Sequence, residues 1–225
     1  MKTIIIALAM FLVGCAQPAP AKEIRIGFYG DSTAYGTTSD KAGEYSRSAN
    51  NEPDQLEWLL QARFGNAVFV ENRGVPGAIC SDFLWGQNDV KRSWRDEMVS
   101  SPADIVILNV GLNDAGRMSW DDFNWCMEQA IVIAKANGKR FVIAAPNPVN
   151  KHFNDVYWST VHIEESLALK HNVTLVDHWN GTMNETTGWR DMLPDGIHPN
   201  DELYGLKAKR TFNAIAPAVQ SMRQK

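Results

Sequence analysis

Five short, nearly continuous apolar segments constrain the fold of this 225-residue chain more than any other feature. They are rich in β-branched residues and lie at 24–29, 67–71, 104–110, 140–145 and 173–176. Strands with apolar side chains at successive positions are typical of a sheet that is covered on both faces, as parallel sheets are. We therefore expect an α/β fold built on a five-stranded, mostly parallel sheet.

Segments with helical periodicity separate these strands. The first begins at Pro53 and ends at Gly65, and its apolar residues recur every four positions. Similar patterns predict helices over about 119–138 and 154–170 and from about 200 onward. Alternation of strand and helix along the chain predicts one α/β domain over 23–225, with right-handed crossovers between the strands.

The N-terminus has a different character from the rest of the chain. Lys2 supplies a positive charge, and residues 3–13 form an almost unbroken apolar run. This run is too short to span a bilayer as a stable helix, and it has the layout of a secretory signal. We therefore expect a signal peptide over 1–14.

The end of that run, Leu-Val-Gly-Cys at 12–15, resembles the lipobox of bacterial lipoproteins. The resemblance implies lipid attachment at Cys15, a lipidated tether over 15–22 and a place in the bacterial cell envelope. Ala16 after the cysteine favours the outer membrane, and a periplasmic face is also consistent with the pattern. The alternative is an ordinary signal peptide that contains a cysteine, which would give a secreted or periplasmic protein.

The charge of the chain limits its partners. The net charge is −4, and no long basic run occurs. Nucleic-acid binding and polybasic membrane contact therefore have no electrostatic basis. We expect no nucleic-acid partner, and contact with a membrane only through the lipid anchor.

Two further cysteines, Cys80 and Cys126, lie in the predicted domain. An exported compartment permits a disulfide between them. The sequence does not say whether their Cα atoms lie within bridging distance, so a disulfide and two buried free thiols both remain open.

Polar or glycine-rich segments follow three of the strands and precede the last helix. They are Gly-Asp-Ser at 30–32, Asn-Arg-Gly-Val-Pro-Gly at 72–77, Gly-Leu-Asn-Asp at 111–114 and Asp-Gly-Ile-His-Pro at 195–199. Ligands of open α/β sheets bind beyond the carboxyl ends of the strands. We therefore expect these four segments to meet at one edge of the sheet.

The residue types in these segments are those that acyl transfer requires. A serine hydroxyl such as that of Ser32 becomes a nucleophile when a base removes its proton, and His198 is the natural base. Asp195 can hold the other imidazole nitrogen and so fix its tautomer.

A tetrahedral intermediate also needs hydrogen-bond donors for its oxyanion. The backbone N–H groups of Ser32 and Gly74 and the side-chain amide of Asn113 are the expected donors. Glycine allows close approach of the backbone to a ligand, and an asparagine amide donates without carrying charge.

Together and in this order, the four segments resemble the four sequence blocks of the SGNH (GDSL-like) hydrolase superfamily. The resemblance covers residues 24–220 and implies a flavodoxin-like three-layer α/β/α sandwich, carboxylester hydrolysis, no metal and no cofactor. Thr33 stands where many members have leucine, a position that varies in the family. Taken singly each segment is weak evidence, because Gly-Asp-Ser also suits a plain turn; Asp31 and Asp114 are expected to be structural.

Competing interpretations find little support. No Gly-x-Ser-x-Gly elbow, His-Glu-x-x-His motif, Cys-x-x-Cys motif or P-loop occurs. The remaining histidines are expected to be solvated or capping, with His178 after the last strand the most interesting; they are His152, His162, His171 and His178. The polar stretch at 36–51 is predicted to be a long surface loop near the site.

The substrate is less constrained than the chemistry. Trp85, Trp179 and Trp189 lie near the predicted catalytic edge, where they either stack on sugars or belong to the core. We expect hydrolysis of small-molecule or glycan esters with short acyl groups, such as O-acetyl groups on glycans. The alternatives are a lysophospholipase- or thioesterase-type acyl hydrolase, an O-acyltransferase, and an inactive glycan-binding lipoprotein.

Overall fold

A computed structural model describes residues 22–40, 42–150 and 154–224. The predicted signal peptide and Cys15 lie outside the described residues, as does His152. Within the described part of the chain, no helix has the length and apolar character needed to cross a membrane.

The described chain contains seven strands and eight α-helices. The strands are β1 (Ile24–Gly30), β2 (Thr37–Ser39), β3 (Tyr45–Arg47), β4 (Val68–Gly74), β5 (Ile105–Asn109), β6 (Arg140–Ala144) and β7 (Thr174–Val176). The helices are α1 (Ser32–Tyr35), α2 (Glu52–Phe64), α3 (Cys80–Trp85), α4 (Trp94–Ser100), α5 (Trp120–Ala136), α6 (Asn154–His171), α7 (His178–Glu185) and α8 (Asp201–Arg223). Short 3-10 turns lie at Asp114–Gly116 and Trp189–Met192.

Five of the strands form the main sheet in the order β4-β1-β5-β6-β7, and every neighbouring pair is parallel. Counted along the chain within this sheet, the order is 2-1-3-4-5, which is the flavodoxin-like arrangement. The prediction of a five-stranded parallel sheet is confirmed. The order of strands turns back between β1 and β5, so the carboxyl ends of these two strands form the rim of a crevice.

Helices cover both faces of this sheet and make the predicted three-layer sandwich. In β5, Val106 and Leu108 enter one core, whereas Ile105 and Ile107 enter the other, because successive side chains of a strand point to opposite faces. Helices α3 to α6 complete the first core, and α2 and α8 complete the second. This double burial explains why the strands are apolar at successive positions.

The stretch at 36–51 contains more structure than the predicted loop. Strands β2 and β3 pair antiparallel within it and form a small ribbon of two three-residue strands. Their polar sequences, Thr-Thr-Ser and Tyr-Ser-Arg, show no period that would distinguish a strand from a loop. The ribbon is tied to the body of the protein by the Tyr204 hydroxyl, which donates to the carbonyl of Thr37 over 2.6 Å.

A disulfide joins Cys80, the first residue of α3, to Cys126 in α5. The Cα atoms of the pair are 6.2 Å apart, within the usual range for a bridge. Of the two alternatives that the sequence left open, the structure therefore has the disulfide.

Candidate active site

The turn after β1 presents Ser32 at the start of α1. Asp31 caps this helix, and its carboxylate accepts hydrogen bonds from the Thr33 backbone N–H over 2.7 Å and from the Thr33 hydroxyl over 2.9 Å. A Cβ atom at Gly30 would collide with the carbonyl oxygen of Asn109 on the neighbouring strand. Burial raises the pKa of Asp31 above its ordinary value. Asp31 therefore has the structural role that the sequence predicted.

The structure brings Ser32, His198 and Asp195 together in a hydrogen-bonded chain. The Oγ atom of Ser32 lies 2.8 Å from Nε2 of His198, and Nδ1 of His198 lies 2.6 Å from Oδ2 of Asp195. Ser32 and His198 are 166 residues apart in sequence, so this contact is made entirely by the tertiary fold. The order nucleophile, base and orienting carboxylate is that of a Ser-His-Asp triad.

Asp195 also organises the backbone that carries the histidine. Its Oδ1 atom accepts hydrogen bonds from the N–H groups of Ile197 over 2.9 Å and of His198 over 2.8 Å. Burial by itself would raise the pKa of Asp195, but the hydrogen bonds from His198 and Ile197 outweigh it and hold that pKa below its ordinary value. The carboxylate is thus kept ionised, as an orienting partner for an imidazole must be.

Gly74, the last residue of β4, and Gly77 in the loop after it have different surroundings, and the sequence-based choice of Gly74 as an oxyanion donor needs correction. The N–H of Gly74 donates to Oδ1 of Asn72 over 3.0 Å, and Gly74 packs so closely on α1 that a Cβ would collide with the backbone nitrogen of Tyr35. Gly77 instead lines the pocket that contains Ser32. Its N–H donates to no acceptor among the described residues. Gly77, rather than Gly74, is therefore positioned to face a ligand.

Asn113 lines the same pocket, as predicted. Its Nδ2 atom donates one hydrogen to the carbonyl of Ala78 over 3.1 Å, which leaves the second amide hydrogen for a ligand. The neighbouring Asp114 is buried and accepts hydrogen bonds from the backbone N–H groups of Cys80 over 2.6 Å and of Gly111 over 2.9 Å. Asp114 therefore fastens the asparagine loop to α3, and its predicted structural role is confirmed.

The pocket around Ser32 has a volume of about 550 Å³. The β2–β3 ribbon forms one wall through Thr37, Tyr45 and Arg47. The Tyr45 side chain is 64% exposed, and its ring meets the ring of His198 edge to face with the centroids 5.6 Å apart. The stretch at 36–51 thus faces the site.

Comparison with known proteins assigns the chain to a family. The sequence model of the GDSL-like Lipase/Acylhydrolase family matches residues 28–206, which is most of the chain. The chain belongs to this family. It is therefore a hydrolase that acts on ester bonds.

Solved structures support the fold of this GDSL-like hydrolase at low sequence identity. An alpha/beta hydrolase enzyme from the metagenome of Lake Arreo, Spain, superposes with a TM-score of 0.71 and 16% identity, over 87% of this chain and 96% of that one. An acetylxylan esterase from Geobacillus stearothermophilus superposes with a TM-score of 0.70 and 16% identity, over 87% and 95% of the two chains. A protein of the G-D-S-L family from Desulfitobacterium hafniense DCB-2 gives 0.68 and 17%, over 85% and 99%. No curated protein sequence matches the chain.

The other described histidines of this GDSL-like hydrolase lie away from the pocket. His162 pairs with Glu165 on the surface of α6, and His171 at the end of that helix pairs with Glu128. His178 is fully buried, so the expectation that it is solvated or capping is wrong. The sequence drew attention to His178 but not to its buried neighbours Glu52 and Lys207, because the three residues come from three separate helices.

The three tryptophans singled out in the sequence divide between core and surface. Trp179 and Trp189 are buried, which favours their role in the core. Trp85 is 56% exposed, and its ring stacks on that of Trp125 with the centroids 6.1 Å apart. Neither ring of this pair lines the pocket of Ser32.

Proposed function

We propose that this GDSL-like hydrolase is a serine esterase that removes short acyl groups, above all O-acetyl groups from glycans, through an acyl-enzyme intermediate. The observation that carries the proposal is the unbroken chain from Ser32 Oγ through His198 to Asp195, with contacts of 2.8 Å and 2.6 Å. Hydroxyl, imidazole and carboxylate at these distances form the arrangement that activates a serine for attack on an ester.

In the proposed mechanism, Nε2 of His198 takes the proton of the Ser32 hydroxyl while Oγ forms a bond to the ester carbonyl carbon. Asp195 accepts the Nδ1–H bond and stabilises the imidazolium that results. Collapse of the tetrahedral intermediate breaks the bond to the alcohol oxygen, which receives the proton from His198. Water then attacks the acyl-enzyme while His198 takes a proton from it. Collapse of the second tetrahedral intermediate breaks the bond from the acyl carbon to Oγ, which receives this proton from His198, and so releases the acid and free Ser32.

The oxyanion is proposed to be held by three donors: the backbone N–H groups of Ser32 and Gly77 and the amide of Asn113. The first belongs to the opening residue of α1, where N–H groups have no partner within the helix. Gly77 and Asn113 line the same pocket. Their hydrogen bonds strengthen as negative charge develops on the carbonyl oxygen, which lowers the barrier.

The form of the pocket wall supports a sugar as the alcohol part of the substrate. The β2–β3 ribbon supplies an exposed aromatic ring in Tyr45 and hydrogen-bonding groups in Ser46 and Arg47. Aromatic faces pack on the apolar faces of sugars, and guanidinium and hydroxyl groups bond to sugar hydroxyls. The similar fold of an acetylxylan esterase agrees with an acetylated glycan as substrate.

The test uses the chain from residue 16 and its Ser32→Ala variant. The wild type is expected to release p-nitrophenol from the acetate ester, to lose activity as the acyl chain lengthens, and to release acetate from acetylated xylan. Ser32→Ala is expected to lower kcat by about 10⁴-fold or more, because the nucleophile is gone. Turnover by the variant comparable to that of the wild type would overturn the role of Ser32. A preference for long acyl chains would overturn the substrate class.

We also propose that the protein is anchored in the bacterial cell envelope by a lipid on Cys15. The support is the apolar run at 3–13 followed by Gly-Cys. The full-length chain expressed in a bacterium is expected to incorporate a labelled fatty acid and to sediment with membranes, whereas Cys15→Ala is expected to do neither. Equal membrane association of both forms without label would contradict the anchor.

A further inference from the structure

Three ionisable side chains meet inside the protein beneath the active site. Glu52 opens α2, His178 opens α7 and Lys207 lies in α8, and all three side chains are fully buried. His178 Nε2 lies 3.0 Å from Oε1 of Glu52, and Lys207 Nζ lies 3.3 Å from Oε2. The hydroxyl of Thr211 donates to Oε1 over 2.6 Å. We call Glu52, His178 and Lys207 the buried cluster.

The charges of the buried cluster follow from these contacts. Burial by itself would raise the pKa of Glu52, but His178 and Lys207 outweigh it and lower that pKa to about 2. Burial lowers the pKa of His178, which favours its neutral form. The guanidinium of Arg210 lies 3.5 Å from Nδ1 of His178, so a second cationic side chain faces the imidazole. The cluster therefore holds one carboxylate paired with one ammonium group.

Lys207 connects this cluster to the loop after β6. Its Nζ atom donates to Oδ1 of Asn147 over 3.3 Å, and Asn147 is also fully buried. The Nδ2 atom of Asn147 donates to the carbonyl of Ile197 over 3.1 Å and to that of Pro148 over 3.0 Å. Ile197 immediately precedes His198. A continuous path of polar contacts thus runs from Glu52 to the backbone that carries the proposed base.

The hydrogen-bonding chemistry of Lys207 and Asn147 fixes which atom donates at each contact along this path. A lysine ammonium group only donates, so the group of Asn147 that faces it must be the carbonyl oxygen. The Nδ2 hydrogens then necessarily point to the carbonyls of Ile197 and Pro148. The two carbonyls favour this orientation as well, but without a donor at 207 the Oδ1 atom of Asn147 would be buried without a partner. Lys207 therefore supplies the third contact that holds the amide against Ile197.

A purely structural ion pair would not need this link. Buried ion pairs often contribute little net stability, because the loss of hydration offsets the attraction between the charges. Glu52 and Lys207 could satisfy each other without Asn147, yet one hydrogen of the ammonium is directed to the loop under the active site. Asp195 accepts hydrogen bonds from the N–H groups of Ile197 and His198. The backbone before the proposed base is thus held at its N–H groups by Asp195 and at the Ile197 carbonyl by Asn147.

We propose that Lys207, held in place by Glu52, is a positioning residue that acts through Asn147 to fix the carbonyl of Ile197 and so the imidazole of His198. This inference rests on the proposed role of His198 as the base. Neither Lys207 nor Asn147 lines the pocket of Ser32, so both act through the backbone. A shift of the imidazole by a fraction of an ångström weakens proton transfer without changing how the substrate is held.

The central variant is Asn147→Ala. Alanine carries no charge, so the ion pair of Glu52 and Lys207 remains balanced and the protein is expected to fold. It has no Nδ2 hydrogens, so the bond to the Ile197 carbonyl is lost. The expected result with p-nitrophenyl acetate is a kcat lowered about 10- to 100-fold with KM changed less than about twofold. Labelling of Ser32 by a fluorophosphonate probe is expected to slow by the same factor.

Lys207→Met combined with Glu52→Gln tests the other end of the path, because it removes both charges and leaves no unpaired carboxylate in the buried cluster. It is expected to lower kcat in the same way with KM preserved. Trp94→Phe is the matched control, since it removes a buried hydrogen bond from Nε1 to the Ala130 carbonyl in the opposite core. This control is expected to lower the melting temperature and to leave kcat unchanged.

The outcomes distinguish failure of the positioning role from failure of the proposed function. Full kcat in folded Asn147→Ala, with wild type active and Ser32→Ala inactive, would overturn the positioning role and leave the proposed function intact. A fall in kcat for Trp94→Phe equal to that for Asn147→Ala would overturn the positioning role as well, because any loss of stability would then have the same effect. An inactive wild type that fails to react with the fluorophosphonate would overturn the proposed function itself.

Discussion

At the scale of single residues, two glycines of the site differ in the space that surrounds them. Gly74 ends β4 against α1, and a Cβ there would collide with the backbone of Tyr35 and Ala34. Three residues later, Gly77 has open space around it and a φ of +79°. The first glycine is needed for packing and the second for a left-handed turn that exposes an N–H to the pocket. Glycine is therefore needed at both positions of this motif, but for a different physical reason at each.

Substitution by alanine is expected to separate these two reasons. Gly74→Ala must displace α1, the helix that begins with Ser32, and is expected to lower the free energy of unfolding by about 3 kcal/mol or more. Gly77→Ala meets no atom and suffers only its backbone conformation, at a cost of about 1–2 kcal/mol. Urea denaturation of both variants measures the difference. Equal destabilisation would contradict the close contact between β4 and α1.

At the scale of elements, the loops of the site are held by the helices that follow them. Helix α3 begins directly after the Gly77 loop, and its first residue, Cys80, is bound twice. The N–H of Cys80 donates to Asp114 beside Asn113, and its sulfur is bonded to Cys126 of α5. The loops that carry two of the proposed oxyanion donors, Gly77 and Asn113, are therefore both fixed through Cys80.

Removal of the disulfide in Cys80→Ala/Cys126→Ala is expected to destabilise the protein by about 2–4 kcal/mol. The bridge closes a segment of 46 residues, so its loss returns considerable freedom to the unfolded chain. Activity near room temperature is expected to persist, because Asp114 still holds the start of α3. The checks are the melting temperature and kcat of the variant beside those of the wild type. An unchanged melting temperature would contradict the stabilising role.

At the scale of the whole molecule, the protein keeps several carboxyl groups in its interior behind the catalytic edge. Burial raises the pKa of Asp114 to about 6, even though two backbone N–H groups bond to it. Glu164 of α6 is fully buried, and neither of its oxygens has a hydrogen-bond partner among the described residues. Burial, together with the nearby charges of Asp114 and Asp31, raises the pKa of Glu164 well above its ordinary value. The folded protein therefore favours the neutral form of this side chain.

This raised pKa makes stability depend on pH. The neutral Glu164 contributes its full share of stability below the pKa of an unfolded glutamate, and that share is lost as the pH rises toward the folded pKa. Glu164→Gln removes the titration. The free energy of unfolding of Glu164→Gln, relative to that of the wild type, is expected to increase with pH between pH 5 and the pKa of Glu164 in the folded protein. The expected slope is about 1.4 kcal/mol per pH unit. Glu202→Gln on the surface of α8 is the control, and urea melts from pH 5 to pH 8 measure both variants; a constant difference for Glu164→Gln would refute the prediction.

Much of the fold and the centre of the site could be predicted because their determinants are local. Helix α5 has its cap at Ser119, which accepts from the N–H of Asp122, at the start of the helix predicted over about 119–138. The sequence pattern does not predict the short helices α1, α3, α4 and α7, because segments of four to eight residues have too few turns to show a clear period. It does not predict the β2–β3 ribbon either, because these three-residue strands are polar and show no alternation of apolar and polar residues.

The sequence alone was enough to predict the five-stranded parallel sheet, its longer helices and the gathering of Ser32, Asp195 and His198 at one edge of the sheet. The first two follow from the periodicity of apolar residues, and the third follows from the rule that polar loops gather at the carboxyl ends of parallel strands, together with the resemblance to the SGNH sequence blocks. The tertiary structure was needed to establish the contact of Ser32 with His198, which glycine faces the pocket, that Cys80 and Cys126 are bonded, and that a buried lysine reaches the loop before His198. Each of these depends on distances between residues far apart in the chain, as with the 60 positions between Asn147 and Lys207. Such contacts leave no pattern in the sequence, because they exist only once the layers have packed.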